Sequence, residues 1–195
     1  MTYEQYLSAG MHIGMKQQTK DMKKFVYKIR SDGLAVLDLQ LIEKRIKIAG
    51  KFLAGFKKIL AVSRKTVGWK AITTFAEIVG GKAVQGRFLP GTITNPHFPS
   101  YYEPHVLIVT DPVVDSQAIK EATKMRIPIV AFCDTTNRIN DIDYVIPVNN
   151  KGRKSVATVY WLLAREILKN REKIKEDEEF KYSVEDFEIE EKLKK

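Results

Sequence analysis

The sequence predicts an α/β protein of the doubly wound type, a mainly parallel sheet with helices on both faces. Three observations predict it. Short runs that are almost wholly apolar, at 59–62, 106–109 and 128–132, lack the polar alternation of a half-exposed strand, as strands buried on both faces do. Segments with apolar residues at helical spacing, at 42–56, 66–79 and 115–125, lie among them. The two kinds of segment alternate along the chain, and strand–helix–strand alternation closes right-handed βαβ units.

The elements follow in order. Thr2 with Gln5 three positions later has the form of a capping box, predicting a short helix to about Ala9 with Gly10 as its stop. Residues 10–17 then form a loop. Residues 25–30 alternate apolar and basic in part, Ser31-Asp32-Gly33 is a turn, and 34–37 is a short apolar strand, which together predict a hairpin. Asp38 is placed to N-cap a helix whose apolar face is Ile42, Ile46, Ala49, Phe52, Leu53 and Phe56, with Lys44, Lys47, Lys51 and Lys58 roughly opposite. A buried strand at 59–62, a second amphipathic helix at 66–79 stopped by Gly80-Gly81, and a strand at 82–85 come next. After a long segment, 86–104, the chain reads as strand (105–110), helix (115–125), strand (128–132) and short strand (144–146). The longest helix runs from Ser155 to about Lys173, with Val156, Val159, Tyr160, Leu163 and Ile167 on one stripe and Trp161 and Leu162 widening it. This is a flavodoxin- or Rossmann-like α/β/α sandwich: one domain over 1–174, followed by a charged tail, 175–195, expected to be mobile or to depend on a partner.

Composition narrows the function. The apolar clusters 106–109, 127–132 and 161–164 are too short to span a bilayer, and the first 14 residues lack a signal-peptide core, so a cytoplasmic protein with no membrane partner is expected. The only cysteine, Cys133, ends an apolar run, where a reduced, buried thiol is expected. Of 33 basic and 24 acidic residues, 7 and 10 fall from Arg171 onward, so the body holds 26 against 14, a net of +12. A body that basic points to a polyanion, and nucleic acid is the common one in the cytosol.

Neither Gly-x-Gly-x-x-Gly nor Gly-x-x-x-x-Gly-Lys-Ser/Thr is present, so the phosphate loops of dinucleotide enzymes and common nucleoside triphosphatases are missing. Gly10-Met11-His12-Ile13-Gly14 follows a helix instead of opening one and reads as a structural turn. His12, His97 and His105 have no partner at metal-binding spacing, and each reads as a structural or RNA-facing imidazole. Asp111, Asp115, Asp134, Asp141 and Asp143 lie near strand ends, where doubly wound folds place ligands. Asp115 as an N-cap, and Asp134 and Asp141 beside turns, explain them without catalysis, leaving a sugar-phosphate or nucleotide enzyme as the rival reading. No enzyme, catalytic residue, cofactor, metal or small-molecule substrate is therefore expected.

Two regions have the chemistry of an RNA surface. Lys16, Lys20, Lys23, Lys24, Lys28 and Arg30 interleave with Phe25 and Tyr27, with only Asp21 among them as a balancing acid, and Arg64 with Lys65 forms a second cluster just past a strand end. The segment 86–104 holds four of the seven prolines, and its Arg87, Thr92, Thr94 and Asn95 offer donors suited to phosphate or sugar, with Phe88 able to pack or stack. The same loop could equally be clamped onto its own domain by Phe88, Phe98, Tyr101 and Tyr102. The tail, where Phe180, Tyr182, Val184, Phe187 and Ile189 punctuate the charges up to Leu193, allows an adaptor role toward protein partners.

Read in order, Gly10-x-His12-x-Gly14, Gly86-Arg-Phe-Leu-Pro-Gly-Thr-Ile-Thr-Asn95, Glu103-Pro104 and Leu107-Ile-Val-Thr-Asp-Pro112 carry a resemblance that continues through Glu121-Ala122, Ile127-Pro128, Cys133-Asp134-Thr135 and Ile142-Asp-Tyr-Val-Ile-Pro-Val-Asn-Asn150 to Ser155. In that order and spacing the chain resembles the second small-subunit ribosomal protein family, whose eukaryotic branch is the laminin-receptor-like ribosomal protein SA. The resemblance spans residues 3–167. It implies an α/β/α sandwich near the junction of head and body of the small subunit, contacting ribosomal RNA and neighbouring ribosomal proteins. No segment has the pattern of the helical hairpin inserted in bacterial relatives, and the long acidic extension of the eukaryotic branch is missing, so the chain resembles the archaeal branch.

Overall fold

A computed structural model describes residues 3–174 and 180–189. Helix α1 (Tyr3–Ser8) stops at Gly10, whose φ of +68° a side chain would resist; Thr2, and with it the capping box, lies outside the described residues. The hairpin pairs β1 (Val26–Ile29) with β2 (Ala35–Leu37), antiparallel. Helix α2 (Leu39–Ala54) starts where expected, because the Asp38 carboxylate accepts the backbone N–H groups of Gln40 and Leu41 at 2.9 and 3.4 Å. There follow β3 (Ile59–Ser63), α3 (Trp69–Val79), β4 (Lys82–Gln85), β5 (Val106–Val109), α4 (Ser116–Lys124), β6 (Ile129–Cys133), β7 (Tyr144–Pro147) and α5 (Arg153–Asn170).

Strands β3 to β7 form one parallel sheet in the order β4-β3-β5-β6-β7. Counted from its first strand this is the 2-1-3-4-5 order of flavodoxin-like folds, with the switch point between β3 and β5. Strands β3, β5 and β6 are buried at every residue, which is why their sequence shows no alternation. The connections β3→β4 and β5→β6 leave in opposite directions, so right-handed crossovers put α3 and α4 on opposite faces. Helix α5 packs against both α2 and α3, giving three helices on one face. On the other, α4 is joined by the 86–104 loop, whose Gly91 and Ile93 amides donate to Glu121 of α4.

Four local expectations change. Phe52 is 42% exposed, because the buried stripe of α2 is Ile42, Ile46, Ala49, Gly50 and Leu53, and Phe52 sits just off it, edge-on to Phe56 at 5.0 Å. Lys58 lies beyond the end of α2. Helix α5 ends at Asn170, short of Lys173, and Arg171 turns its guanidinium into the structure. It donates to the carbonyls of Ala54, Phe56 and Val79 at 3.2, 2.6 and 2.6 Å, satisfying the orphan ends of α2 and α3. Finally, residues 180–189 fold back on the body. Phe180 meets Trp161 at 5.5 Å, Trp161 Nε1 donates to the Tyr182 carbonyl at 2.7 Å, and Phe187 is fully buried against α3 and α5. Phe180 and Phe187 are thus spent on the chain's own body, Tyr182 stays exposed, and Leu193 lies outside the described residues.

Cys133 is buried, and burial together with the carboxylates of Asp111 and Asp134 pushes its thiol up, leaving it an inert core residue. None of the described helices is long and apolar enough to cross a membrane.

Candidate nucleic-acid interface

The basic residues gather at the C-terminal edge of the sheet, because the N-terminal segment is tied across it. After β7, Asn149 donates its backbone N–H to the Met11 carbonyl at 3.0 Å and its side-chain amide to the Gly10 carbonyl at 3.2 Å. After β6, Met15 N–H donates to Thr135 Oγ1 at 2.9 Å, Thr19 N–H to the Thr135 carbonyl at 2.9 Å, and the Thr19 hydroxyl to the Asn137 carbonyl at 2.8 Å. Gly14 passes so close to this edge that a Cβ would stand 2.5 Å from Thr135 Cγ2. The Gly10–Gly14 motif is therefore a structural tie that lashes the basic segment to the strand ends.

From that tie the cations face outward. Lys16, Lys20, Lys23, Lys24, Tyr27, Lys28 and Arg30 are all exposed. Buried Phe25 anchors the turn Lys23–Phe25, and the Lys24 ammonium lies 5.1 Å above its ring. Arg30 pairs with Asp32 at 3.6 Å, both side chains about half exposed, a contact weak enough to leave the guanidinium available.

The second cluster divides. Arg64 is exposed, its backbone N–H held by Asp115 Oδ1 at 2.7 Å, whereas half-buried Lys65 turns inward to an ion pair with Asp111. Arg87 is exposed at the start of the 86–104 loop, and with Arg64 and Asp115 it borders a cleft of about 170 Å³ beside the switch point. Within the loop, Thr92 is buried with its hydroxyl donating to the Leu89 carbonyl at 2.7 Å, and the Thr94 hydroxyl donates to Glu121 Oε2 at 3.2 Å. Only Arg87 and Asn95 of its four candidate donors face solvent. Phe88 is buried and Phe98, Tyr101 and Tyr102 are half-buried, so the loop is clamped to its domain as a rigid edge.

The clamp centres on Glu121, a residue that sequence reasoning gave no role. Its carboxylate receives Gly91 N–H at 2.9 Å, Ile93 N–H at 3.2 Å, the Thr94 hydroxyl and the Gln117 amide at 3.0 Å. Burial works to raise its pKa, but these bonds outweigh it and hold the carboxyl below the ordinary glutamate value. The available signal was its position: Glu121 falls between Ala118, Ile119 and Ala122 on the buried face of α4.

The aspartates separate into two groups. Asp141 and Asp143 are exposed beside the N-terminal end of the sheet, where Asp143 accepts Ile129 N–H at 2.8 Å. Asp111, Asp115 and Asp134 are buried at the C-terminal ends of β5 and β6. Asp115 occupies the N-cap position of α4, yet its carboxylate does not cap that helix. It reaches instead to the N–H groups of Arg64 and Asp111, pinning the end of β3 to the end of β5. Asn137 donates to Asp111 at 3.0 Å and accepts from Asp134 N–H and the Asn150 amide at 2.6 and 3.0 Å. Asp134 pairs with Lys151 at 3.3 Å. Side chains of the chain itself thus fill the crevice where doubly wound proteins bind ligands. His97 and His105 are exposed, and no group of His, Cys, Asp and Glu among the described residues is arranged to hold a metal.

Asp115 gives this network a pH signature. Burial pushes its carboxyl up to about 6, against the pull of the Arg64 and Asp111 N–H groups. The folded state therefore holds a proton that the unfolded chain, with its value of 3.8, releases. The stabilisation from that proton is complete below pH 3.8 and lost as pH rises through about 6, on the order of 3 kcal/mol for this group. Asp115→Asn is expected to flatten the decline between pH 4 and pH 6; urea unfolding of both proteins across that range measures the difference.

Comparison with known proteins finds relatives of this sequence. The family model described as ribosomal protein S2 matches residues 6–98 and 99–170. A protein named small ribosomal subunit protein uS2 from Picrophilus torridus is 48% identical over 188 residues, covering 95% of this chain and 94% of that protein. Proteins of the same name from Thermoplasma acidophilum and Thermoplasma volcanium are 49% and 48% identical over 187 residues, with the same coverage.

Proposed function

Because this chain belongs to the ribosomal protein S2 family, whose members are structural constituents of the ribosome and not enzymes, we propose that it binds small-subunit ribosomal RNA through the basic C-terminal edge of its sheet. The observation that carries the reading is the run of exposed cations from Lys16 to Arg30, lashed across the ends of β6 and β7, with Arg64 and Arg87 on the same edge. These cations neutralise phosphates and release their counterions, and the clamped 86–104 loop matches RNA shape through Arg87 and Asn95. Of the other candidate donors, Lys65, Thr92 and Thr94 hold the edge rigid from within. Seated near the junction of head and body beside neighbouring ribosomal proteins, the domain supports subunit assembly and translation in the cytoplasm.

Sedimentation of native lysate through a sucrose gradient, at low and at raised salt, tests the reading. Co-migration with small subunits and translating ribosomes, lost as salt rises, is the expected result; a low-mass peak at both salts rejects it.

A further inference from the structure

The proposed interface contains one feature that phosphate neutralisation does not use. A groove of about 480 Å³ opens between the hairpin, His12 and the start of α2, within the size range of small-molecule sites. A β-bulge shapes it. The ladder passes from Val26 opposite Leu37 directly to Lys28 opposite Val36, so Tyr27 is the extra residue. In a regular strand Tyr27 and Lys28 would point to opposite faces; the bulge brings Tyr27 to the same groove as Lys28 and Arg30, while Ile29 stays out of its lining.

The result is an aromatic face beside two cations. The Tyr27 side chain is 71% exposed and, among the described residues, has neither a stacked ring nor a cation over it, whereas neighbouring Phe25 has both Lys24 and Arg45 against its ring. Opposite, His12 lines the groove with its Nδ1 buried and unpartnered, and burial and the Arg30 charge both lower its pKa, which keeps the ring neutral. Gln40 adds an exposed amide at the helix start. A flat aromatic face, a neutral imidazole and an amide suit a nucleobase, and Lys28 with Arg30 suits the phosphate next to it.

We propose that this groove receives one unpaired nucleotide of RNA, its base stacked on Tyr27 and its phosphate held by Lys28 and Arg30. The proposal rests on the RNA-binding reading and adds to it a place where a single extruded base is recognised, separate from the sequence-blind contacts of the lysines.

The test has two arms on the full chain. In the first, a single-stranded hexa-adenylate carrying one 2-aminopurine is titrated with the parent protein, Tyr27→Ala and Tyr27→Phe. Because Tyr27 is on the surface, none of these changes threatens the fold. Quenching of the 2-aminopurine by the parent, a loss of affinity of roughly five- to a hundredfold for Tyr27→Ala, and retention within about twofold for Tyr27→Phe are expected from one base–aromatic stack. Equal affinity of all three proteins overturns the proposal. In the second arm a photo-crosslinking amino acid replaces Tyr27, and its crosslink in purified small subunits is mapped. An unpaired nucleotide supports the proposal; a base-paired helix or a neighbouring protein overturns it while leaving the RNA-binding reading intact. Failure of the parent chain to enter subunits at all would instead overturn that reading, and the proposal with it.

Discussion

Replacing Lys20, Lys23 and Lys24 together by Glu is expected to release the protein from small subunits while leaving its circular dichroism unchanged. All three side chains are exposed and none makes an ion pair within the described structure, so the folded state loses only the exposed Lys24 ammonium's contact with the Phe25 ring. The effect falls on RNA. If each lysine neutralises one phosphate, the slope of log affinity against log salt becomes shallower by about 2.7, and reversing the charges adds repulsion. The contrast should therefore be greatest near physiological salt, where the parent is retained and the variant runs free on a gradient. Retention of the variant would move the interface from this segment to Arg64 and Arg87.

The second large effect is on stability. Glu121→Ala is expected to cost about 3 to 5 kcal/mol, because it strands two backbone N–H groups inside the loop clamp, together with the Thr94 hydroxyl. Urea unfolding should show a lower midpoint with little change in slope, and hydrogen exchange should accelerate most at the Gly91 and Ile93 amides. The wild-type protein should lose part of this stabilisation as acid protonates Glu121. Its folded pKa is depressed, so its contribution is present above the unfolded value of 4.5 and disappears as pH falls through the folded one. This runs opposite to Asp115, and variants at the two sites separate the limbs of one pH profile.

Where a local rule and the tertiary structure demand the same residue, the sequence sufficed. Asp38 caps α2 because an aspartate before an apolar periodic run has one favourable use there, and β3, β5 and β6 are unalternating because both of their faces are covered. Apart from Phe52, the main surprises share a cause: tertiary contacts gave a polar or charged residue an inward partner that no local pattern announces. Glu121 sits in an otherwise ordinary amphipathic helix, and only the loop folded over α4 supplies its donors. Asp115 has the form of a cap and serves a strand 51 residues earlier. Arg171 looks like one more cation in a charged C-terminal stretch, yet it closes two helix ends. The charges of the C-terminal segment likewise hid Phe180 and Phe187, which the body buries. For the interface, composition identified the cations as a class, while which of them face outward depends on ties to Asn149, Thr135 and Glu121 that lie more than a hundred residues from the first group and about 30 from the loop.

The position of α5 bears on how the protein is born. It lies against both α2 and α3, and 13 of its 18 residues are buried, including Tyr160, whose hydroxyl meets Thr110 at 2.8 Å on the end of β5. As nascent chain leaves the exit tunnel, all five strands emerge before this helix, and their apolar surface has no central cover until it arrives. Strand pairing and the flanking helices cannot complete the domain alone, so a chain stalled before α5 presents the apolar strip of sheet between α2 and α3 to chaperones.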